Sequence, residues 1–230
     1  MPLIPALETT AMCNQYTPAS ATALARQFGV APRPGYMPTE VFPRTPGWFI
    51  RHGHQAGAGA RELVQGQWGL IPWFAKTARL SFSTNNARAE ELAEKASYKQ
   101  PWARRQRCLI PAEAFREPCW ETGKNVWWNF RRADGDAFAL AGLWNAWVDR
   151  ETGELHESYT MLTLNADTHP LFRRMHKPDP RLPPEAQDKR MVVVLEADAW
   201  DSWLTAPPEQ ARALIRQAPA SLFLAEPERR

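Results

Sequence analysis

The sequence predicts an α+β fold: a single domain built on a curved antiparallel, barrel-like β-sheet with peripheral helices. Three observations carry this. Segments 48–51, 62–70, 125–132, 137–147, 158–164 and 190–195 are rich in aromatic and β-branched residues and bounded by turn residues, the signature of strands. The turn signals Asp134-Gly135, "ETGK" (121–124) and "ETGE" (151–154) join neighbouring strands and imply antiparallel pairing. Helix-forming stretches are short and separate from these segments.

In chain order, Ser20 to Phe28 has helix formers behind a Ser20 cap and stops at Gly29, suited to a left-handed C-terminal position. The proline-rich stretch 31–47 can be neither regular helix nor central strand, so it is expected to be an ordered loop wrapping the domain. "NARAEELAEKA" from Asn86 has helix composition, with Asn86 as a favoured N-cap. "EADAWDSWL" (196–204) and "PPEQARALIRQA" (207–218) give two further short helices.

Composition narrows the class of function. Hydrophobic residues at 44% and charged residues at 23% describe an ordinary globular protein. There is neither an apolar run of membrane-spanning length nor a signal peptide, so no membrane partner and a cytoplasmic location are expected. Three cysteines, Cys13, Cys108 and Cys119, form no paired metal or disulfide pattern, and reduced thiols follow. His52 and His54 sit two apart on a strand, but no third ligand is near, so no metal is expected; no phosphate-cradling glycine loop points to a nucleotide cofactor either. A net charge of +3 does not establish a nucleic-acid partner, although "ARRQR" (103–107) and "FRRMHK" (172–177) concentrate cations. Eleven tryptophans can stack bases as well as fill a core.

Polar residues cluster in four places: Cys13, "TNNARAEE" (84–91), "RCLIPAEAFREP" (107–118) and "HPLFRRMHKP" (169–178). Together they supply a thiol, an amide, an arginine, carboxylates and two histidines, enough for nucleophilic chemistry with acid–base assistance.

The succession "MCNQY", "WGLIPWFAK", "NNARAE", "RCLIPAEAFREP", "FALAGLW", "MLTLNAD" and "MHKP…DKRMVVVL", spanning about residues 12 to 200, resembles the SOS-response-associated peptidase family, also described as abasic-site processing proteins. The resemblance implies a barrel-like α+β domain with a basic cleft for single-stranded DNA. It implies too that Cys13 becomes N-terminal once Met12 is removed. Residues 1–11 are then a leader or precede the true start, and 12–230 form the domain. The cysteine amine and thiol would capture the aldehyde of a ring-opened abasic site as a thiazolidine. Reference pKa values of about 7.7–8.0 for an α-amine and about 8.5 for a thiol suit that chemistry near neutrality. If translation starts at Met1, the nitrogen is an amide and Cys13 is at most a thiol nucleophile.

By position in the family pattern, Asn86 matches the active-site asparagine, Glu117 the glutamate and His176 the histidine, with Glu113 and His169 as alternatives. Arg88 matches a phosphate-binding arginine, suited to phosphate by its fork of donors. Trp68 and Trp73 resemble an aromatic stacking surface, Trp73 being the one expected to be exposed, and Arg173, Arg174, Lys177 and Arg190 belong to the expected DNA cleft. Two departures stand out. Asn14 and Gln15 occupy positions where many members read Gly-Arg, and a proline-rich insert separates His176 from Arg190, read as a loop at the cleft rim. A monomer acting on abasic single-stranded DNA is expected. A cysteine hydrolase and a non-catalytic single-strand binder are the competing readings.

Overall fold

A computed structural model describes residues 13–37, 39–53 and 60–228; residues 1–12 and His54 lie outside it, and with them the expected leader, Met12 and the second histidine of the His-x-His pair. The described elements are β1 (Tyr16–Pro18), α1 (Ala21–Arg26), β2 (Pro46–His52), β3 (Arg61–Trp68), β4 (Asn86–Arg88), α2 (Ala96–Ala103), β5 (Arg107–Cys119), β6 (Val126–Arg132), β7 (Phe138–Val148), β8 (Leu155–Asn165), β9 (Arg190–Val192), α3 (Trp200–Thr205), α4 (Pro208–Arg212) and β10 (Phe223–Pro227).

Five strands close into a barrel in the order β5-β2-β3-β8-β7 and back to β5. Most pairings are antiparallel, as expected, while β3 and β4 both run parallel to β8. The "ETGK" and "ETGE" turns do join antiparallel partners, β5 to β6 and β7 to β8. Asp134-Gly135 does not make a hairpin. Gly135 turns with φ +82°, yet β6 pairs with β5 over 115–119 and β7 pairs with β5 over 107–112, so the two strands follow one another along a shared partner.

β5 is therefore the spine of the molecule, and the sequence reading did not recognise it as a strand. Pro111 and Pro118 argue against a central strand because each lacks an N–H. Here each supplies a carbonyl instead: Pro111 O accepts from the Ala19 N–H at 3.0 Å and Pro118 O from the His176 N–H at 2.6 Å.

Apolar residues on both faces of the barrel strands are buried, in two clusters. Phe49, Val64, Cys108, Ile110 and Met161 point into one, with Trp68, Tyr159 and a group of phenylalanines around Phe115. Their sequence neighbours Ile50, Leu63, Leu109 and Leu162 point into the other, beneath α1 and α3. Burial on both sides explains near-continuous apolar runs such as "FALAGL". Ser20 caps α1 by accepting from the Ala23 N–H at 3.2 Å, and Gly29 ends it at φ +65°. The predicted helix from Asn86 is corrected: residues 86–88 form β4, a single 3-10 turn follows at Ala89–Glu91, and helix resumes only at α2. Pairing with β8, which buries Ala87, overrides a helix propensity worth only tenths of a kcal/mol per residue.

Gly142 lets β7 approach its neighbours closely: a Cβ there would lie 2.7 Å from Thr160 O and 2.8 Å from Cys108 Sγ. Gly142→Ala should lower unfolding free energy by about 1–3 kcal/mol, read as a fall in denaturant midpoint at constant m-value. An unchanged midpoint would mean that the barrel wall yields there.

Candidate active site

The far end of β5 carries Glu117, and three segments converge on it. Cys13 enters just before β1, which pairs with β5 through Tyr16↔Phe115. Asn86 sits on β4, held by pairing to Met161 on β8. His176 follows a 3-10 turn at Phe172–Arg174 and is fixed by its N–H to Pro118 O and by an isolated bridge between Met175 and Cys119.

The polar contacts are direct. His176 Nε2 lies 2.9 Å from Glu117 Oε2, and both side chains are buried. The Cys13 backbone N–H donates to the Glu117 carboxylate. Asn86 Nδ2 donates to Cys13 O at 2.9 Å. Thus one carboxylate touches both the nitrogen of Cys13 and an imidazole, and the amide holds the carbonyl of the same cysteine. Two buried atoms here have no protein partner, Asn86 Oδ1 and His176 Nδ1. Buried polar atoms are almost always satisfied, so such a pair marks a place that a ligand can complete.

Burial sets the protonation states. It pushes the Glu117 carboxyl up, opposed by the His176 imidazole and the Cys13 N–H. It pushes the Cys13 thiol well up as well, and the Glu117 charge adds to the rise. The Cys13 Sγ donates weakly to Gln15 O at 3.7 Å.

Several supporting residues escaped the sequence reading. Lys189 is buried, and its Nζ donates to Met175 O at 2.7 Å and to His176 O at 2.6 Å, holding His176 at φ +62°. Asn85 Nδ2 donates to Asn14 Oδ1 at 3.2 Å, tying β4 to the segment after Cys13. Gln15, where the family pattern has arginine, donates from Nε2 to Glu40 at 2.6 Å and accepts from Arg116 Nη1 at 3.2 Å.

The expected DNA-contacting residues divide. Trp73 is 57% exposed, with its ring edge-on to Phe74 at 5.7 Å. Arg173 and Lys177 are exposed, Lys177 Nζ lying 5.4 Å from the Trp120 ring; half-buried Arg174 pairs with Glu121 at 2.7 Å. Arg88 is partly exposed and paired with Asp188. Two assignments are corrected. Trp68 is fully buried, its Nε1 donating to Asn85 O at 2.9 Å, because β3 turns it into the barrel. Arg190 is buried too, bonded to Glu90, to Asp188 at 3.1 Å and to Thr163 O at 3.0 Å, so it clamps β9 rather than facing a cleft. The alternatives also separate. His169 Nδ1 accepts the Leu171 and Phe172 N–H groups, a turn-capping role, and, after burial, the Glu113 charge helps to raise the Tyr36 hydroxyl rather than acting on Cys13 or His176. Among the described residues no cluster of metal-ligating side chains occurs and no helix is long and apolar enough to cross a membrane.

A crystal structure of a Bordetella bronchiseptica protein superposes with a TM-score of 0.83 at 35% identity, covering 94% of this chain and 100% of that one. The abasic site processing protein YobE of Bacillus subtilis is 37% identical over 141 residues, 60% of this chain and 56% of that protein. The abasic site processing protein HMCES of Gallus gallus is 27% identical over 190 residues, 71% of this chain and 52% of that protein. This chain thus spans little more than half the length of the curated relatives it matches. The family model for SOS response associated peptidase (SRAP) matches residues 12–227, and the chain belongs to that family.

Proposed function

We propose that this protein captures abasic sites in single-stranded DNA through Cys13, closing a thiazolidine on the opened sugar. The observation that carries the reading is the Glu117 carboxylate, bonded at once to the nitrogen of Cys13 and to the His176 imidazole. Relatives named as abasic site processing proteins, and the family match beginning at Met12, support it.

The steps follow from the groups present. With Met12 removed, the Cys13 amine attacks the sugar aldehyde. Glu117 takes a proton from the nitrogen and returns one to the hydroxyl, which leaves as water from the carbinolamine. The thiol then adds to the imine carbon, and its proton passes to nitrogen. His176 holds or supplies the proton that Glu117 moves. Asn86 fixes the cysteine carbonyl, leaving Oδ1 for a sugar hydroxyl; Arg88, Arg173, Arg174 and Lys177 supply phosphate contacts, and exposed Trp73 offers a stacking ring. Removal of residues preceding Cys13 by the same groups belongs to this proposal.

A thiol hydrolase fits less well. Such enzymes depress the thiol pKa, whereas burial and Glu117 raise that of Cys13.

Protein translated from Met12, incubated with an abasic single strand, should give a denaturation-resistant crosslink; Cys13→Ser and N-terminally blocked protein should give none. Efficient linkage by the blocked form would move the chemistry to another nucleophile, and binding without linkage would favour a simple strand binder. Glu117→Gln should slow linkage by about 100-fold, the scale of general acid–base catalysis, with little loss of DNA affinity; the reverse pattern would remove Glu117 from the chemistry.

The pH dependence has a definite sign. Protonation of the amine lowers linkage first as pH falls; the base form of Glu117 is lost further down, through its raised pKa, so a second acid-side decline should begin above the ordinary glutamate value of about 4.3, and Glu117→Gln should remove that second step while leaving the amine's. For folding the sign is opposite. Because the folded pKa is raised, stability is greatest below the unfolded value and declines as pH climbs through the folded one. Lys189→Met should cost about 1–3 kcal/mol by stranding two carbonyls and should slow linkage while leaving strand affinity intact. Wild-type linkage at wild-type stability would show that His176 is held without it.

A further inference from the structure

The basic run at 103–107 lies at the opposite end of β5 from Glu117, up to about 33 Å away at roughly 3.3 Å per residue. It opens onto a cavity of about 530 Å³ lined by Arg104, Arg105, Arg107, His52, Trp144 and Thr205 among others. Arg107 is buried. Its Nε and Nη2 donate to the carbonyls of Trp203 and Ala206, and its guanidinium lies 5.6 Å from the Trp102 ring and 5.6 Å from the Trp203 ring. Its Nη1 is left with no partner, and among the described residues no carboxylate pairs with Arg104, Arg105 or Arg107.

That is an unusual concentration of uncompensated charge. Arg190, the other buried arginine among the described residues, is by contrast paired with Glu90 and Asp188. A buried cation lacking a counter-charge is held against an uncompensated desolvation penalty. Consistent with that, burial and the neighbouring Arg105 pull the Arg107 pKa down to about 10. Arg105 stands at φ +58° just past the end of α2, which sets its exposed side chain beside Arg104 at the same opening.

We infer that this cavity is a second, phosphate-binding site: Arg104 and Arg105 grip the anion at its mouth and Arg107 supplies the fixed positive charge beneath. The ligand is a phosphoryl group, either on the backbone of a strand that extends from the candidate active site or on a small phosphate compound. Only the strand source rests on the proposed DNA function.

The test uses the whole protein. The side-chain Nε–Hε NMR signals of Arg104 and Arg105 are followed during titration with sodium phosphate, and separately with undamaged single strands, one long enough to reach from Glu117 to Arg105 and one too short. Sodium chloride at matched ionic strength is the baseline. Phosphate should shift both signals beyond the chloride baseline, and so should the long strand but not the short one. Arg104→Ala combined with Arg105→Gly, which keeps the left-handed position, should lower the slope of log affinity against log salt by roughly 1.4 for the long strand, at about 0.7 per phosphate contact, and leave the short strand unchanged. Shifts with phosphate alone would keep the site and assign it a small ligand. Signals that follow neither phosphate nor the long strand, or equal losses on both strand lengths, would overturn it.

Discussion

The rest of the structure is organised around one buried contact, the 2.9 Å approach of Glu117 to His176. Taking two ionisable groups out of water costs several kcal/mol each unless the remaining lone pairs and protons are met. The protein meets them from the backbone. Cys13 N–H serves the carboxylate, Pro118 O takes the His176 N–H, and the buried ammonium of Lys189 sits on the carbonyls of Met175 and His176. Each of these donors and acceptors comes from a different stretch of chain, and β5 brings them together. Its first half closes the barrel; its second half leaves the barrel to pair with β1 and β6 and carries Glu117 to the meeting point. The site is therefore a consequence of one strand being long enough to belong to two parts of the sheet.

The insert after His176 follows the same logic. Lengthening a loop adds only fractions of a kcal/mol of closure entropy, so extra residues at the rim are cheap provided the two ends stay fixed. They are fixed here by Lys189, whose Nζ returns to His176 O, and by Asp167, whose carboxylate accepts the N–H groups of Asp188 at 3.1 Å and Lys189 at 2.8 Å. Arg190 then anchors β9 through Glu90 and Asp188, and Asp188 in turn pairs with Arg88. The insert is thereby linked to the 3-10 turn after β4, so the Asn86 and His176 segments share a single frame.

How far the sequence disclosed this depends on the range of the interaction concerned. Strands whose apolar residues and turns are local, such as β7 and β8 around "ETGE", were legible. β5 was not, because Pro111 and Pro118 carry the local mark of a non-strand and only distant carbonyl acceptance explains them. Asn86 read as a helix cap because alanine and glutamate follow it, whereas parallel pairing with β8 decides its backbone. Residue type alone did not fix depth: Trp68 and Trp73 lie five positions apart, one inside the barrel and one largely exposed, and Arg190 resembles a cleft cation while serving as an internal clamp. Cys13, Asn86, Glu117 and His176 were legible through their ordered motifs, and they do converge. Lys189 and Asn85 carried no local signal, since each acts through a bond to a segment remote in sequence.

Burial also fixes an order of events on the proposed reading. The Cys13 thiol, raised both by desolvation and by the charge of Glu117, is held in its protonated, weakly nucleophilic form near neutrality. An α-amine, with a reference pKa of about 7.7–8.0, keeps an appreciable free-base fraction there, and the adjacent carboxylate is placed to accept its proton. Nitrogen must then attack first. Once the imine has formed, the nitrogen can receive the thiol proton, and sulfur adds within one residue to close the five-membered ring. The same carboxylate that suppresses the thiol as a first nucleophile is the base that can take the proton the amine must shed. This explains why a cysteine held so deeply, which would be a poor choice for a conventional thiol enzyme, suits a reaction in which sulfur acts second.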